Sequence, residues 1–109
     1  MKEGTTGGRV VGNVMDGAGM TGADSLVDVK GNDWVIESNV GQHAEEAMQT
    51  HRIEDGWGTG NIFRDNTVDV DGDGRHFYIH DPEITDNIVS CSNRTSSGEP
   101  IRSNVECTP

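Results

Sequence analysis

Basic side chains are scarce in this chain. Eight Lys and Arg stand against nineteen Asp and Glu over 109 residues, a formal net charge of −11. Phosphate neutralisation needs clustered cations, which argues against nucleic acid as a partner and against an anionic membrane surface as well. Long apolar runs are missing too. Nothing approaches the ~18 consecutive apolar residues of a membrane span, and no basic start followed by an apolar stretch is visible as a secretory leader. Hydrophobic residues make up 31% and aromatics 5%, thin material for a globular core and a composition that leans toward disorder. Three prolines against fifteen glycines indicate many tight turns rather than a stiff linker. Only two cysteines occur, Cys91 and Cys107, without other metal-type spacing around them. They read as one disulfide closing about a 16-residue loop, worth roughly 3 kcal/mol by loop entropy. A disulfide implies an exported or surface-located protein; two reduced thiols are the alternative.

What the chain does have is a repeat. Four lines stack: "GRVVGNVMDG", "DWVIESNVGQ", "NIFRDNTVDV" and "NIVSCSNRTS", aligned on Asn13, Asn39, Asn66 and Asn93, which are spaced by 26, 27 and 27 residues. Val10, Ile36, Phe63 and Ser90 stand three positions before these asparagines, and a shorter fifth echo, "IRSNVEC", carries Asn104. Between the lines lie "SLVDVKG" (25–31), "MQTHRI" (48–53) and "HFYIHD" (76–81). Their alternation reads as β: Val27 and Val29 against Asp28 and Lys30, Phe77 and Ile79 against Tyr78 and His80. No stretch keeps a helical apolar period for ten residues, and "HAEEAMQTHR" reads as a loop or single turn leading into a strand.

Short strands, turns and a period near 26 residues predict an all-β fold: a single-stranded right-handed parallel β-helix, or solenoid, of about four rungs. Each rung pairs with its neighbours at about 4.8 Å, giving a stack of about 20 Å. The asparagines gain a physical role as a ladder, their amides donating and accepting between rungs at a bend and tolerating left-handed backbone there. A narrow apolar column with such a ladder lets a chain poor in hydrophobic residues fold. The chain opens at "MKEGTTGG", already inside a rung, so residues 1–109 are expected to be the C-terminal portion of a longer helix. The exposed N-terminal edge would then meet upstream rungs or another copy of the chain. The end, "VECTP", looks finished.

The segments "KEGTTG" (2–7), "DVKGNDWVIESN" (28–39), "QTHRIEDGWGTGNIFRDN" (49–66) and "NIVSCSN" (87–93) carry a resemblance. The chain resembles the right-handed parallel β-helix proteins of the pectate-lyase-like superfamily, most of all the C-terminal rungs of exported actinobacterial members. The resemblance implies a secreted or cell-surface protein that binds or processes polysaccharide. A non-catalytic structural or surface module is the alternative, because that fold hosts many activities.

Two clusters could carry chemistry. Asp69, Asp71, Asp73 and Gly74 look like the start of a calcium loop, but position twelve of that loop is His80 where a bidentate Glu is needed. They read as an acidic turn equivalent to "VMDGAGMTG" and "VGQHAEEA", with a weak calcium site at Asp71 and Asp73 as the alternative; no cofactor is required. The second cluster is an outward stripe: Asp28 and Lys30, then Thr50 and Arg52, then Tyr78 and His80, which Lys2 would extend. It is similar to the arrangement in β-helix lyases of the chondroitinase B and alginate lyase type. By that resemblance Lys30 is the base and Arg52 on the next rung assists the leaving oxygen; Asp28, Tyr78 and His80 on the stripe are candidate substrate contacts, as is Trp57, whose alternative is packing over the rung beneath. The calcium ligands of that family, an Asn and two Glu, have no clear equivalents here. The competing reading is a solvated Lys/Asp/Arg face with ion pairs worth under about 1 kcal/mol each. Alternation places His51 inward beside Gln49 as a hydrogen-bonded core histidine, and His43, His76 and His80 lack zinc spacing. Trp57 lies in a loop, Trp34 caps the core, and the sequon Asn93-Arg94-Thr95 is occupied by the ladder.

Overall fold

Three faces emerge from the chain in strict rotation. The computed structural model describes residues 1–19 and 25–109. The end of the first long turn, residues 20–22 of "VMDGAGMTG", therefore lies outside the described residues. The first sheet holds β1 (Arg9–Val11), β4 (Val35–Glu37), β7 (Ile62–Arg64) and β10 (Ile88–Val89). The second holds β2 (Val14–Asp16), β5 (Val40–Gln42) and β8 (Thr67–Val68). The third holds β3 (Ser25–Val29), β6 (Glu46–Thr50) and β9 (Phe77–Ile79). Every pairing is parallel and joins a strand to its equivalent one rung on. This is the parallel β-solenoid of about four rungs. Single bridges from Arg94 to Thr67 and from Ser103 to Phe77 continue the second and third sheets into the last rung. One short helix, α1 (Pro82–Thr85), sits in the last corner.

The core is a narrow column of inward side chains stacked rung on rung. Ile36 stacks on Phe63 and Phe63 on Val89 in the first sheet. Val27, Met48 and Phe77 stack in the third, where Phe63 meets Phe77 edge to face at 5.6 Å. All six are buried. By spacing from Asn93, Ser90 is the counterpart of Ile36 and Phe63. The structure puts Val89 in the column instead, because one extra residue precedes Asn93 and the apolar side chain takes the inward position.

The four aligned asparagines do form a ladder at the first bend. The Oδ1 of Asn39 accepts from the N–H of Asn13 at 2.9 Å and from its Nδ2 at 3.1 Å. Asn66 repeats this toward Asn39 at 3.1 and 3.1 Å, and Asn93 toward Asn66 at 3.0 and 3.0 Å. Each Nδ2 also donates to the carbonyl of the preceding rung, at Val10, Ile36 and Phe63. The left-handed residue, however, is not the asparagine. It is the residue before it: Gly12, Ser38 and Asp65, with φ of 71°, 57° and 56°. The side chain of the asparagine reaches back along the axis while its neighbour makes the bend.

A second ladder occupies the bend between the third and first sheets, and the alignment did not single it out. Asn61 Oδ1 accepts from the N–H of Trp34 at 2.9 Å, and Asn87 Oδ1 from the N–H of Asn61 at 2.8 Å. Their Nδ2 groups donate to Gly31 and Gly58. The residues before these positions, Asp33, Gly60 and Asp86, are again left-handed. Trp34 stands where an asparagine would, and its indole lies over Gly8, where a Cβ would come within 2.3 Å of the ring. The repeated Asn-Ile of "NIF" and "NIV" was the available signal. Cys91 and Cys107 are disulfide-bonded, and Cys91 N–H donates to Thr108 as a final strand-like contact at 2.9 Å.

Candidate functional site

The outward face of the third sheet differs from the predicted stripe by one residue in its middle strand. Val29, Thr50 and Ile79 are register partners, and all three are buried. Thr50 therefore faces the core, where its hydroxyl accepts from the N–H of His80 at 3.3 Å. The outward row is Asp28, Gln49, Tyr78. The next position along gives Lys30, His51, His80. The pairing of Lys30 with Arg52 is thus corrected, and His51 belongs to the half-exposed face instead of the core. Met48 sets this parity. It must join Val27 and Phe77 in the column, and in a strand a shift of one residue exchanges every face.

The column is fixed by its backbone. His51 N–H donates to Val29 at 2.9 Å. The rings of His51 and His80 meet edge to face with centroids 4.9 Å apart, and Tyr78 meets His80 at 6.3 Å. His80 Nδ1 accepts from the N–H of Arg52 at 3.3 Å. The Arg52 guanidinium turns aside to Asp55 at 2.8 Å and Asp81 at 3.5 Å. Asp81 is the left-handed residue that opens α1.

Lys30 Nζ lies 3.7 Å from Asp28 Oδ2, and both side chains are about one-third exposed. Asp28 Oδ1 is buried without a hydrogen-bond partner. A buried acceptor lacking a donor is costly, and it faces the same surface as Lys30. On the far side of the row, the Arg75 guanidinium covers the Tyr78 ring at 3.9 Å and binds Glu46 at 2.7 Å. Each cation of the face thus has a carboxylate partner: Lys30 with Asp28, Arg52 with Asp55 and Asp81, and Arg75 with Glu46. Trp57 is half-buried on the turn that follows Arg52. That turn folds back tightly: a Cβ at Gly58 would meet the Arg52 Cα at 3.2 Å. Asn32 of the preceding rung holds the turn through Gly56 at 2.9 Å.

Asp71 and Asp73 lie elsewhere, in a shallow cleft with Glu45, Glu46, Gly74 and Arg75. The loop is built as a turn. Asp71 N–H donates to Ala44 at 2.9 Å, and a Cβ at Gly74 would strike the Glu45 carbonyl at 1.8 Å. Arg75 occupies Glu46, and among the described residues no group of three or more His, Cys, Asp or Glu is placed to hold a metal ion. Asn93 is buried and fully hydrogen-bonded, so its sequon is not presented. No helix among the described residues is long and apolar enough to cross a membrane.

No family model matches the chain, and no curated protein does. Among solved structures it is similar to the crystal structure of an alginate lyase from Paenibacillus sp. str. FPU-7. The two share 32% identity with a TM-score of 0.80, over 100% of this chain and 38% of that one. The chain thus spans well under half the length of that lyase.

Proposed function

We propose that this chain is part of an exported polyuronate-processing protein of the pectate-lyase-like superfamily, cleaving its polymer by β-elimination over the third sheet. The observation that carries the reading is the likeness to an alginate lyase over the whole chain. The chemistry of the face supports it. A uronate chain needs a cation for its carboxylate, acceptors for its hydroxyls and a group that takes the proton beside the carboxylate. Lys30, the partly exposed Asp28 carboxylate and the Lys30–His51–His80 column supply these types within one stripe. Tyr78 and Trp57 flank it as surfaces for sugar rings, and Arg52 sits one position beyond. The disulfide fits export.

The alternative is a non-catalytic surface module. It is favoured by the same Lys30–Asp28 pair, which already gives the ammonium a partner, and by the chain's net charge of −11, which repels a polyanion. Incubation with alginate, pectate and chondroitin separates the two by the ultraviolet absorbance of the unsaturated product. Product from one polymer supports the lyase. No product from any of the three, together with Lys30→Ala indistinguishable from wild type in polymer binding, leaves the surface module.

A further inference from the structure

We infer that His51 is the group that takes the proton and that Lys30 neutralises the uronate carboxylate, a division of roles that rests on the proposed lyase reading. Three observations carry it. Lys30 and His51 each directly follow the last register pair of β3 and β6, Val29 and Thr50, and Lys30 is already paired with Asp28 at 3.7 Å. A lysine beside a carboxylate keeps its proton and is a poor base, but it is a good partner for an anion. Arg52 is drawn off to Asp55 and Asp81. His80 is spent on Arg52: its Nδ1 accepts the backbone N–H and its ring buttresses that of His51. His51 is left as the half-exposed, uncommitted imidazole next to a fixed cation, and histidine is the side chain suited to proton transfer near neutral pH.

The step balances. Neutral His51 takes the proton from the carbon bearing the carboxylate. The electron pair becomes the double bond to the neighbouring carbon, whose bond to the glycosidic oxygen breaks. That oxygen takes up the proton from the imidazolium, so His51 ends neutral. Lys30 stays charged throughout and holds the negative charge that builds on the carboxylate. The charged and titratable groups around His51 are Lys30 with Asp28 on the rung before, His80 with Asp81 on the rung after, and Arg52 with Asp55 on its own turn.

The test compares Lys30→Arg, Lys30→Ala and His51→Gln on whichever of the three polymers the wild type cleaves, with urea midpoints confirming that each variant folds. His51→Gln is expected to lower kcat by about a hundredfold or more with little change in KM. Lys30→Arg keeps the charge and should retain activity with a raised KM, whereas Lys30→Ala should lose it. A His51→Gln variant within tenfold of wild-type kcat overturns the assignment while leaving the lyase reading intact. So does a Lys30→Arg variant as inactive as Lys30→Ala. A wild-type chain that cleaves none of the polymers removes the reaction and the assignment together.

Discussion

Asn66 is the residue on which the fold leans hardest. It is buried, accepts from the N–H and Nδ2 of Asn39, and donates to Ile36 and Asn93. Replacing it by Ala strands the Asn39 N–H and the Ile36 carbonyl inside the protein. Asn66→Ala should therefore cost about 2 to 4 kcal/mol. Asn13→Ala, at the exposed end of the same ladder, should cost under about 1 kcal/mol. Urea unfolding of the two variants measures the difference, and equal losses would mean that the ladder does not gain its strength from burial. The left-handed bend residues offer the opposite change. Asp65 holds φ of 56° and is exposed. Asp65→Gly removes the strain and should stabilise by about 0.5 to 1 kcal/mol, read as a rise in the urea midpoint. In the column, Phe63→Ala should cost about 3 to 5 kcal/mol, since Phe63 is fully buried and packs edge to face on Phe77.

At the scale of elements, rungs are tied by charge as well as by backbone. Glu37 on β4 accepts from Arg9 on β1 and from Arg64 on β7, and these hydrogen bonds hold its carboxyl below the usual carboxylate range, with Arg64 the stronger cause. The second sheet ends in another tie. Asp16 binds His43 at 2.9 Å. The backbone N–H of Ala18, and then His43, lower the Asp16 carboxyl, while the hydrogen bond to Asp16 raises His43. The lowered acid contributes stability above its ordinary value of 3.8 and loses it as pH falls through its lower folded value. The raised histidine contributes below 6.5 and loses its share as pH rises through its higher folded value. His43→Ala should therefore lower Tm at about pH 5.5 and have no effect at about pH 9; a Tm difference that ignores pH would show that the tie carries nothing. His76 behaves in the other sense. It is buried, its Nδ1 accepts from the N–H of Arg102 at 2.9 Å, and burial first, then the Arg102 charge, push its value down. Its contribution is present above 6.5 and is lost as pH falls toward the lower folded value. Acidification should loosen the terminal segment from β9, seen as faster amide exchange at Phe77 and Arg102, and His76→Gln should flatten that dependence.

At the scale of the whole molecule, the last rung closes on itself. The Cys91–Cys107 bond joins the end of the first sheet to the C-terminal segment, with Thr108 donating to Val89 at 2.8 Å. Reduction should cost roughly 3 kcal/mol, measured as the shift in urea midpoint with and without reductant. A larger effect on residues 99–109 than on the first rungs is expected in hydrogen exchange, because a solenoid shares stability only between neighbours.

The repeat, the β class and the first asparagine ladder were legible because each rests on a local pattern that recurs once per rung. A spacing of 26 or 27 residues and an apolar side chain beside each asparagine are visible in one dimension. The candidate site was legible only in part. Asp28, Lys30, Tyr78 and His80 were placed on the outward face correctly, but His51 was exchanged for Arg52. Ala47 and Met48 are adjacent apolar residues in β6 and point to opposite faces, the run Gln49-Thr50-His51-Arg52 that follows is polar, and Thr50 is equally at home inside or out, so the sequence leaves the parity open. The tertiary structure decided it by seating Met48 between Val27 and Phe77, which turned Thr50 inward and brought His51 beside Lys30. The second ladder was likewise decided in space, because Trp34 interrupts the asparagine pattern while its backbone N–H keeps the same hydrogen bond. Pattern determined which residues recur; packing of one rung on the next determined which of them face one another.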